Sequence, residues 1–300
     1  MIFLASGVRP PRGGGDEALL RLAAEAGADG VHFGVGCDLE VHARLAVAAL
    51  QAGLGVSSLA LPLPERPLPA GRRLPRLSAP ARDERDAAIA LALRGLEAAI
   101  PLAARFALLD FGEVTLTTRP GEVARAFARR EMDEGEAGAT LLSAALAERR
   151  ARAAQLGDAC RWALERLLRG AERSGITLAV SIAASPWQVP SAREAAQLTD
   201  AFAGAGLGPM WEPGRLSALV ALGLGLSDER LRALADGAVL AVESDAVGID
   251  TGYLPGLGER DPRVAALAAP MSVPRIVSGG PDATDAEVAD AIRLTRSRVS

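Results

Sequence analysis

Short apolar runs alternate with longer amphipathic segments along the whole chain, and this rhythm constrains the fold more than any other feature. The short runs are typical of buried strands, and the longer segments carry apolar residues at helical spacing. We predict strands at Ile2–Ala5, Gly30–Gly34, Gly55–Ala60, Phe106–Phe111, Thr177–Ile182, Gly208–Trp211, Val239–Val242 and Arg275–Val277. Helices are predicted near residues 15–26, 39–52, 83–104, 139–174, 191–204, 216–235, 260–269 and 284–297. Eight strand–helix repeats indicate a parallel sheet closed into an α/β (β/α)8 TIM barrel, with residues 1–300 as one domain.

Capping signals support three of these helices. Asp16 is placed to cap the first helix. Ser191 followed by Glu194, and Thr284 followed by Glu287, have the spacing of a capping box at the start of the fifth and the last helix.

Two segments interrupt the rhythm. Residues 61–82 are rich in Pro and Arg, which predicts a long loop after the third strand, over the C-terminal face of the barrel. This loop is either a lid, a surface ornament or a contact in a homo-oligomer. Residues 113–138 contain a charged stretch and are predicted to add a short helix after the fourth strand.

The basic residues exclude several kinds of chemistry. All 33 are Arg, because the sequence contains no Lys. A Schiff-base lysine, a pyridoxal phosphate anchor and a P-loop are therefore excluded. The net charge of −4 gives no reason to expect nucleic acid or an anionic membrane as a partner.

The two cysteines and the short apolar segments indicate in which cellular compartment the protein is found. Cys37 and Cys160 are far apart and are predicted to be free thiols in a reducing compartment. The N-terminal apolar run is too short for a signal peptide, and no run is long enough for a transmembrane helix. We therefore expect a cytoplasmic protein.

Four phrases of the sequence resemble the xylose-isomerase-like superfamily of sugar phosphate isomerases and epimerases. They are EAGADGVHFGV around the second strand, ARDERDAAIALALRGLEAAIPLAARFALLDFG before and in the fourth strand, LGPMWEPGRL at the sixth strand, and VLAVESDAVGIDTGYLPGLGERD at the seventh. The last phrase is the most specific, because its ending, Pro255–Glu259, matches the family pattern Pro-Gly-x-Gly-Glu. The resemblance covers nearly the whole chain and implies the same barrel.

The resemblance also implies where a divalent ion would be held, and this chain departs from that pattern. The family's ligands are a Glu, an Asp with a His three residues later, a His with an Asp, and a Glu, on strands five to eight. The matching residues here are Ser181, Glu212, Arg215, Glu243, Asp245 and Ser278. Serine is a poor ligand and arginine is a cation, so no cofactor is expected and at most a weak divalent-ion site remains.

The acids at the strand ends are the candidate catalytic residues. Glu212, Glu243 and Asp245 are predicted to lie together at the mouth, with Glu113 nearby. Two close carboxylates can divide the roles of general acid and general base. Arg215 is predicted to bind a carboxylate or phosphate of the substrate, or alternatively to neutralise the acids in an internal salt bridge.

Other polar and aromatic residues are candidates for substrate binding. His32 replaces a family Glu, and its alternative is a structural role inside the barrel. Trp187 and Trp211 are predicted either to line a sugar pocket or to pack in the core. Tyr253, in the loop after the seventh strand, is a candidate donor. His42, within a helix, is expected at the surface.

Three functions are compatible with these residues. The first is isomerisation or epimerisation of a small hydroxy-carbonyl substrate such as a sugar or sugar phosphate, by carboxylate acid–base chemistry without the usual metal. The second is an inactive barrel that binds a ligand or a protein partner. The third, a metal-dependent hydrolase or endonuclease, needs ligands that this chain lacks.

Overall fold

A computed structural model of the protein describes residues 1–8, 15–34, 37–66, 68 and 72–298, apart from the side chains of Gly15 and Asp16. The cap predicted for Asp16 therefore lies outside the described residues.

Eight parallel strands close into a barrel, as predicted. Neighbouring strands pair in the order β1-β2-β3-β4-β5-β6-β7-β10, and β10 pairs with β1 to close the ring. The barrel strands are β1 (Ile2–Ala5), β2 (Gly30–Phe33), β3 (Gly55–Leu61), β4 (Phe106–Leu109), β5 (Thr177–Val180), β6 (Leu207–Trp211), β7 (Leu240–Glu243) and β10 (Arg275–Val277). The other two strands, β8 (Asp245–Val247) and β9 (Asp250–Tyr253), form an antiparallel hairpin after β7.

Helices follow the barrel strands. Those in the described part of the chain are α1 (Gly15–Glu25), α2 (Leu39–Gln51), α3 (Arg82–Ala99), α4 (Pro120–Ala128), α5 (Ala137–Ala151), α6 (Ala153–Ser174), α7 (Ala192–Ala201), α8 (Pro213–Ala221), α9 (Asp228–Asp236), α10 (Pro262–Ala265) and α11 (Asp285–Ser297). Both predicted capping boxes are present, at Ser191 and Thr284. None of these described helices is long and apolar enough to cross a membrane.

Three predicted helices differ from the structure. The segment 139–174 is broken into α5 and α6 at Arg152, whose guanidinium donates to the carbonyl of Thr115 and to Glu148. The segment 216–235 is likewise divided into α8 and α9, and only Pro262–Ala265 is helical within 260–269. The short helix predicted in the charged insertion is α4.

Alternate residues of each strand face opposite sides of the barrel wall. One buried cluster is built from strand residues alone and fills the interior: Ala5, Ala179, Met210, Leu240, Val242 and Ile276. The intervening residues, such as Leu59 and Leu109, pack outside the wall against the buried faces of α2, α3 and α6. This alternation decides which strand-end residues point into the mouth.

Candidate functional site

A cavity of about 680 Å³ opens at the C-terminal mouth of the barrel. Its wall is built from the loop after β3, the end of β4 and the residues that follow β5 and β6. The charged and hydroxyl side chains in this wall are Arg73, Arg76, Glu84, Asp110, Glu113, Thr115, Ser181 and Arg215. The volume lies within the ~300–1,000 Å³ typical of small-molecule sites.

Arg215 is held in the cavity wall by residues from two strand ends. Its Nη1 donates to the Oγ of Ser181 at 3.0 Å and to the carbonyl of Ile182 at 3.2 Å. Its Nε lies 2.8 Å from Oε2 of Glu212 without an aligned hydrogen bond, so this contact is mainly one of charge. Nη2 donates to no residue in the described part of the chain, which leaves its N–H groups available to a ligand.

The start of α8 explains this arrangement. Glu212 is the N-cap residue, and Pro213 at the first helical position begins the helix directly after β6. Arg215 therefore lies on the first turn, close to the strand end. Glu212 is almost buried and also accepts a hydrogen bond from the Oγ of Ser244 at 3.3 Å.

Glu243 and Asp245 lie apart from this cavity. Leu240 and Val242 face the interior, whereas Ala241 packs in the buried cluster between the wall and the helices. Glu243 therefore faces the helix side of the wall, and the expected grouping of all four acids at the mouth is wrong. The physical reason is the two-residue period of the strand, which turns Ser244 inward instead.

Glu243 and Asp245, on the helix side of the barrel wall, form ion pairs with two arginines. Arg260 donates from Nε to Oδ1 of Asp245 at 2.6 Å and from Nη2 to Oε2 of Glu243 at 3.1 Å. Arg275 pairs with the other oxygen of Glu243 and donates to the carbonyl of Ala269 at 2.7 Å. All four charged side chains are largely buried. This network suits a structural role, and the catalytic role of Glu243 and Asp245 stays a prediction.

His32 lies deep inside the barrel. Its Nδ1 is 2.8 Å from the Oγ of Ser58, which is in turn 2.9 Å from the Oγ of Ser57. Burial lowers the pKa of His32 to about 4, so the ring is neutral at pH 7. His32 is not among the residues that line the described mouth cavity, and the arrangement matches the alternative of an internal structural histidine.

His42 is buried, which corrects the expectation of a surface position. The buried residues of α2 are His42, Leu45, Ala46 and Ala49, which is the spacing of one helix face. The imidazole packs edge-on against Phe33, with ring centroids 5.0 Å apart, and neither ring nitrogen has a hydrogen-bond partner among the described residues. Burial lowers the pKa of His42 to about 4.

The predicted aromatic contacts lie outside the mouth cavity. Trp187 is buried in the main core, where its Nε1 donates to the carbonyl of Thr118 at 2.8 Å. Trp211 packs between the wall and the helices. Tyr253 lies partly exposed on the hairpin strand β9. Their roles in substrate binding stay predictions, and both tryptophans match the alternative of core packing.

Glu113 does line the cavity, and the loop after β3 faces it. The side chain of Glu113 is 55% exposed and lies 3.7 Å from Nη1 of Arg73. In the loop, the guanidinium of Arg76 forms a bidentate ion pair with the carboxylate of Glu84. It also donates a hydrogen bond to the carbonyl of Glu113 at 2.7 Å. The described part of this loop therefore forms a wall of the cavity. This pairing with Arg76 also lowers the pKa of Glu84.

Asp110 also lines the cavity and was not among the predicted site residues, as was the case for Arg73, Arg76, Glu84 and Thr115. In β4, Phe106 and Leu108 pack against the interior cluster. Asp110 is the next alternate residue after Leu108, so its side chain also points into the barrel. Its Oδ1 accepts a hydrogen bond from the backbone N–H of Gly112 at 2.8 Å. The signal was available, because an acid two residues after an inward-facing strand residue points into the mouth.

The residues at the mouth do not fit the divalent ion that the family resemblance implies. In the described part of the chain, no three His, Cys, Asp or Glu side chains come close enough to hold a metal. At the matching positions, the guanidinium of Arg215 lies against Glu212 and Ser181. A fixed cation therefore already uses the oxygen atoms that would have to bind a second one.

The protein is similar over nearly its whole length to solved structures of sugar epimerases. A 3-keto-D-glucoside 4-epimerase from E. coli is 13% identical, with a TM-score of 0.65 over 99% of this chain and 98% of that one. A D-allulose 3-epimerase from Methylomonas sp., in complex with D-allulose, is 12% identical, with a TM-score of 0.64 over 99% and 96%.

A third similar structure is a protein from Rhodospirillum rubrum that is provisionally named a xylose isomerase. It is 15% identical, with a TM-score of 0.66 over 99% of this chain and 97% of that one. Likeness at these identities shows the fold, and the predicted xylose-isomerase-like barrel is confirmed at that level. No protein-family model matches the chain, and no curated protein matches it significantly.

Proposed function

We propose that this protein, built on the barrel of the xylose-isomerase-like sugar epimerases and isomerases, isomerises or epimerises a small hydroxy-carbonyl compound of the sugar kind. The substrate binds in the mouth cavity, and the reaction proceeds without a divalent ion. The observation that carries the proposal is the guanidinium of Arg215 in the cavity wall, held by Ser181 and Glu212.

The chemistry of such a reaction explains the need for a cation. Removal of a proton from the carbon beside a carbonyl places negative charge on the carbonyl oxygen. Donors that are already oriented towards that oxygen stabilise the charge without reorganising. Nη2 of Arg215, which has no partner in the described part of the chain, supplies two N–H groups on a delocalised cation. The hydrogen bonds of Nη1 to Ser181 and Ile182 and the charge of Glu212 hold the guanidinium in place. Arg215 therefore binds the substrate oxygen.

An inactive barrel is less well supported than an enzyme. A mouth filled by the Arg215–Glu212 pair, with no room for a ligand, would favour an inert protein. The pair is present, but it lies at the wall of a cavity of about 680 Å³ rather than across it. Polar groups that converge on open space are typical of ligand sites.

Hydrogen–deuterium exchange tests the proposal. We expect the protein, after treatment with EDTA, to exchange a carbon-bound proton of at least one ketose among D-allulose, D-tagatose, D-fructose and D-ribulose in D2O, followed by NMR. Arg215→Met should reduce the exchange rate about 10²–10³-fold, the usual cost of losing an oxyanion donor. Arg232→Met, at an exposed arginine of α9, is the matched control and should keep the wild-type rate.

Two results would count against the proposal. No exchange with any of these sugars, together with no binding by calorimetry, would contradict the enzymatic function. Exchange that is lost with EDTA and restored by Mn²⁺ or Zn²⁺ would contradict the metal-free part alone.

A further inference from the structure

We infer that Asp110 is the general base of the mouth cavity. The inference rests on the proposed function and names the group that would take the proton. Asp110 lines the same cavity as Arg215 and Ser181, so a substrate held at Arg215 shares its space with this carboxylate.

Asp110 differs from the other acids around the mouth in having no cationic partner among the described residues. Glu84 is paired with Arg76 at 2.8 Å, and Glu212 with Arg215 at 2.8 Å. Glu113 lies 3.7 Å from Arg73. These arginines already engage oxygens of the three carboxylates or lie beside them, so the three acids are less free to approach a substrate proton than Asp110.

The hydrogen bonds of Asp110 also suit a base. Oδ1 is held at 2.8 Å by the backbone N–H of Gly112, while Oδ2 accepts from no residue in the described ranges. One oxygen thus orients the carboxylate and the other is open to the cavity. Gly112 has a positive φ of 91°, and the stem of Arg76 packs against it, so the position of this N–H is well fixed.

The proposed step balances without an oxidant or a second reactant. Oδ2 of Asp110 takes the proton from the carbon beside the carbonyl, and the C–H electron pair becomes a C=C bond. The carbonyl electron pair moves to the oxygen, which faces Arg215. Return of the proton from Asp110 to the former carbonyl carbon, while the hydroxyl proton of the deprotonated carbon passes to the former carbonyl oxygen, gives an isomer. Addition of a proton from water to the opposite face of the deprotonated carbon, with Asp110 releasing its own proton to water, gives an epimer.

Asp110→Asn tests the inference, because the amide oxygen still accepts from Gly112 and the fold is retained. We expect this variant to bind the exchanging ketose within a few-fold of wild type by calorimetry but to lose about 10²–10⁴-fold in proton exchange in D2O, the usual contribution of a general base. The matched control is Asp282→Asn, at an exposed aspartate after β10 that lines no described cavity, and it should exchange at the wild-type rate.

The outcomes separate this inference from the proposed function. Exchange by Asp110→Asn within tenfold of wild type would overturn the role of Asp110 and leave the function standing. Absence of exchange in the wild type would overturn both. If the Asn variant melts early, Asp110→Glu replaces it: this change keeps the charge but moves the carboxylate by one methylene, and exchange reduced by less than tenfold would overturn the inference.

Discussion

Nε of Arg260 lies 2.6 Å from Oδ1 of Asp245, and Nη2 of the same guanidinium lies 3.1 Å from Oε2 of Glu243, so one arginine bridges two buried carboxylates behind the barrel wall. Asp245 also accepts the N–H of Gly256 at 2.6 Å. The network therefore ties the start of the hairpin, the loop after it and the end of β7 together.

Loss of Arg260 should destabilise the protein strongly. Arg260→Met leaves Asp245 without its ion-pair partner and Glu243 paired with Arg275 alone among the described salt bridges. Breaking a buried pair typically costs about 3–5 kcal/mol. Urea unfolding followed by circular dichroism measures the free energy of unfolding. Arg263→Met removes a half-exposed arginine with two acidic neighbours and should cost less than about 1 kcal/mol. Equal losses in the two variants would show that the network contributes little.

The two histidines should make stability depend on pH. Both have a pKa of about 4 in the folded protein, against about 6.5 for an unperturbed histidine. Between pH 6.5 and 4 the unfolded chain therefore binds protons that the folded protein does not bind, and stability is lost as the pH falls through this window. Each histidine contributes up to about 1.4 kcal/mol per pH unit. Unfolding free energies at pH 7, 6 and 5 measure the slope.

Replacement of His42 by Leu should stabilise the protein and flatten this slope. Leu fills a similar volume beside Phe33 and removes two buried nitrogens that have no partner among the residues the structure describes. We expect about 1–3 kcal/mol more stability at pH 7 and a smaller loss between pH 6 and 5 than in wild type. An unchanged slope would mean that His42 is protonated equally in both states.

Gly112 should tolerate a side chain less well than another glycine of similar conformation. Gly112 and Gly53 both have positive φ, at 91° and 73°. A Cβ at Gly112 would lie 2.6 Å from Cγ of Arg76, whereas a Cβ at Gly53 would meet nothing within 4 Å. Gly53→Ala should cost about 1–2 kcal/mol from backbone strain alone. Gly112→Ala should cost more, and equal melting temperatures would contradict the close approach of Arg76.

The loop after β3 should depend on Glu84 for its order. Arg76 bonds to both oxygens of Glu84, and the N–H of Ser78 is held by the carbonyl of Phe111 at 3.1 Å. Glu84→Gln removes the charge of this pair, so amide hydrogen exchange at Leu77–Ala79 should become faster. Asp86→Asn, on the same helix and paired with the exposed Arg82, serves as the control and should leave these amides unchanged.

The strands were predictable because parallel barrel strands are buried on both faces and appear as short apolar runs. The limits of β1 and β10 coincide with the prediction. The hairpin β8–β9 was missed because its strands are only three and four residues long, too short to show a clear apolar run or alternation. The break at Arg152 involves contacts with Thr115, far away in the chain, so local helical pattern does not reveal it.

The location of the site was predictable from the sequence, but the residues that line it were less so. Family positions placed Glu243 at the mouth, whereas the strand period places it behind the wall. Arg215 was predicted either to bind the substrate or to neutralise the acids; it pairs with Glu212 beside the cavity, and its role in substrate binding stays a prediction. The position of Asp110 at the mouth follows from the strand period, whereas its lack of an arginine partner among the described residues is a tertiary property that local sequence does not reveal.

The cation at the mouth belongs to the polypeptide itself. Arg215 is part of the first turn of α8, so each folded chain carries one of these positive charges. Unlike a bound metal ion, this charge cannot be lost to solution or replaced by another element. Its supply depends on translation and folding alone. Scarcity of a trace element or mismetallation by a competing one would leave it unchanged, and its position is subject to mutation in the same way as any other side chain.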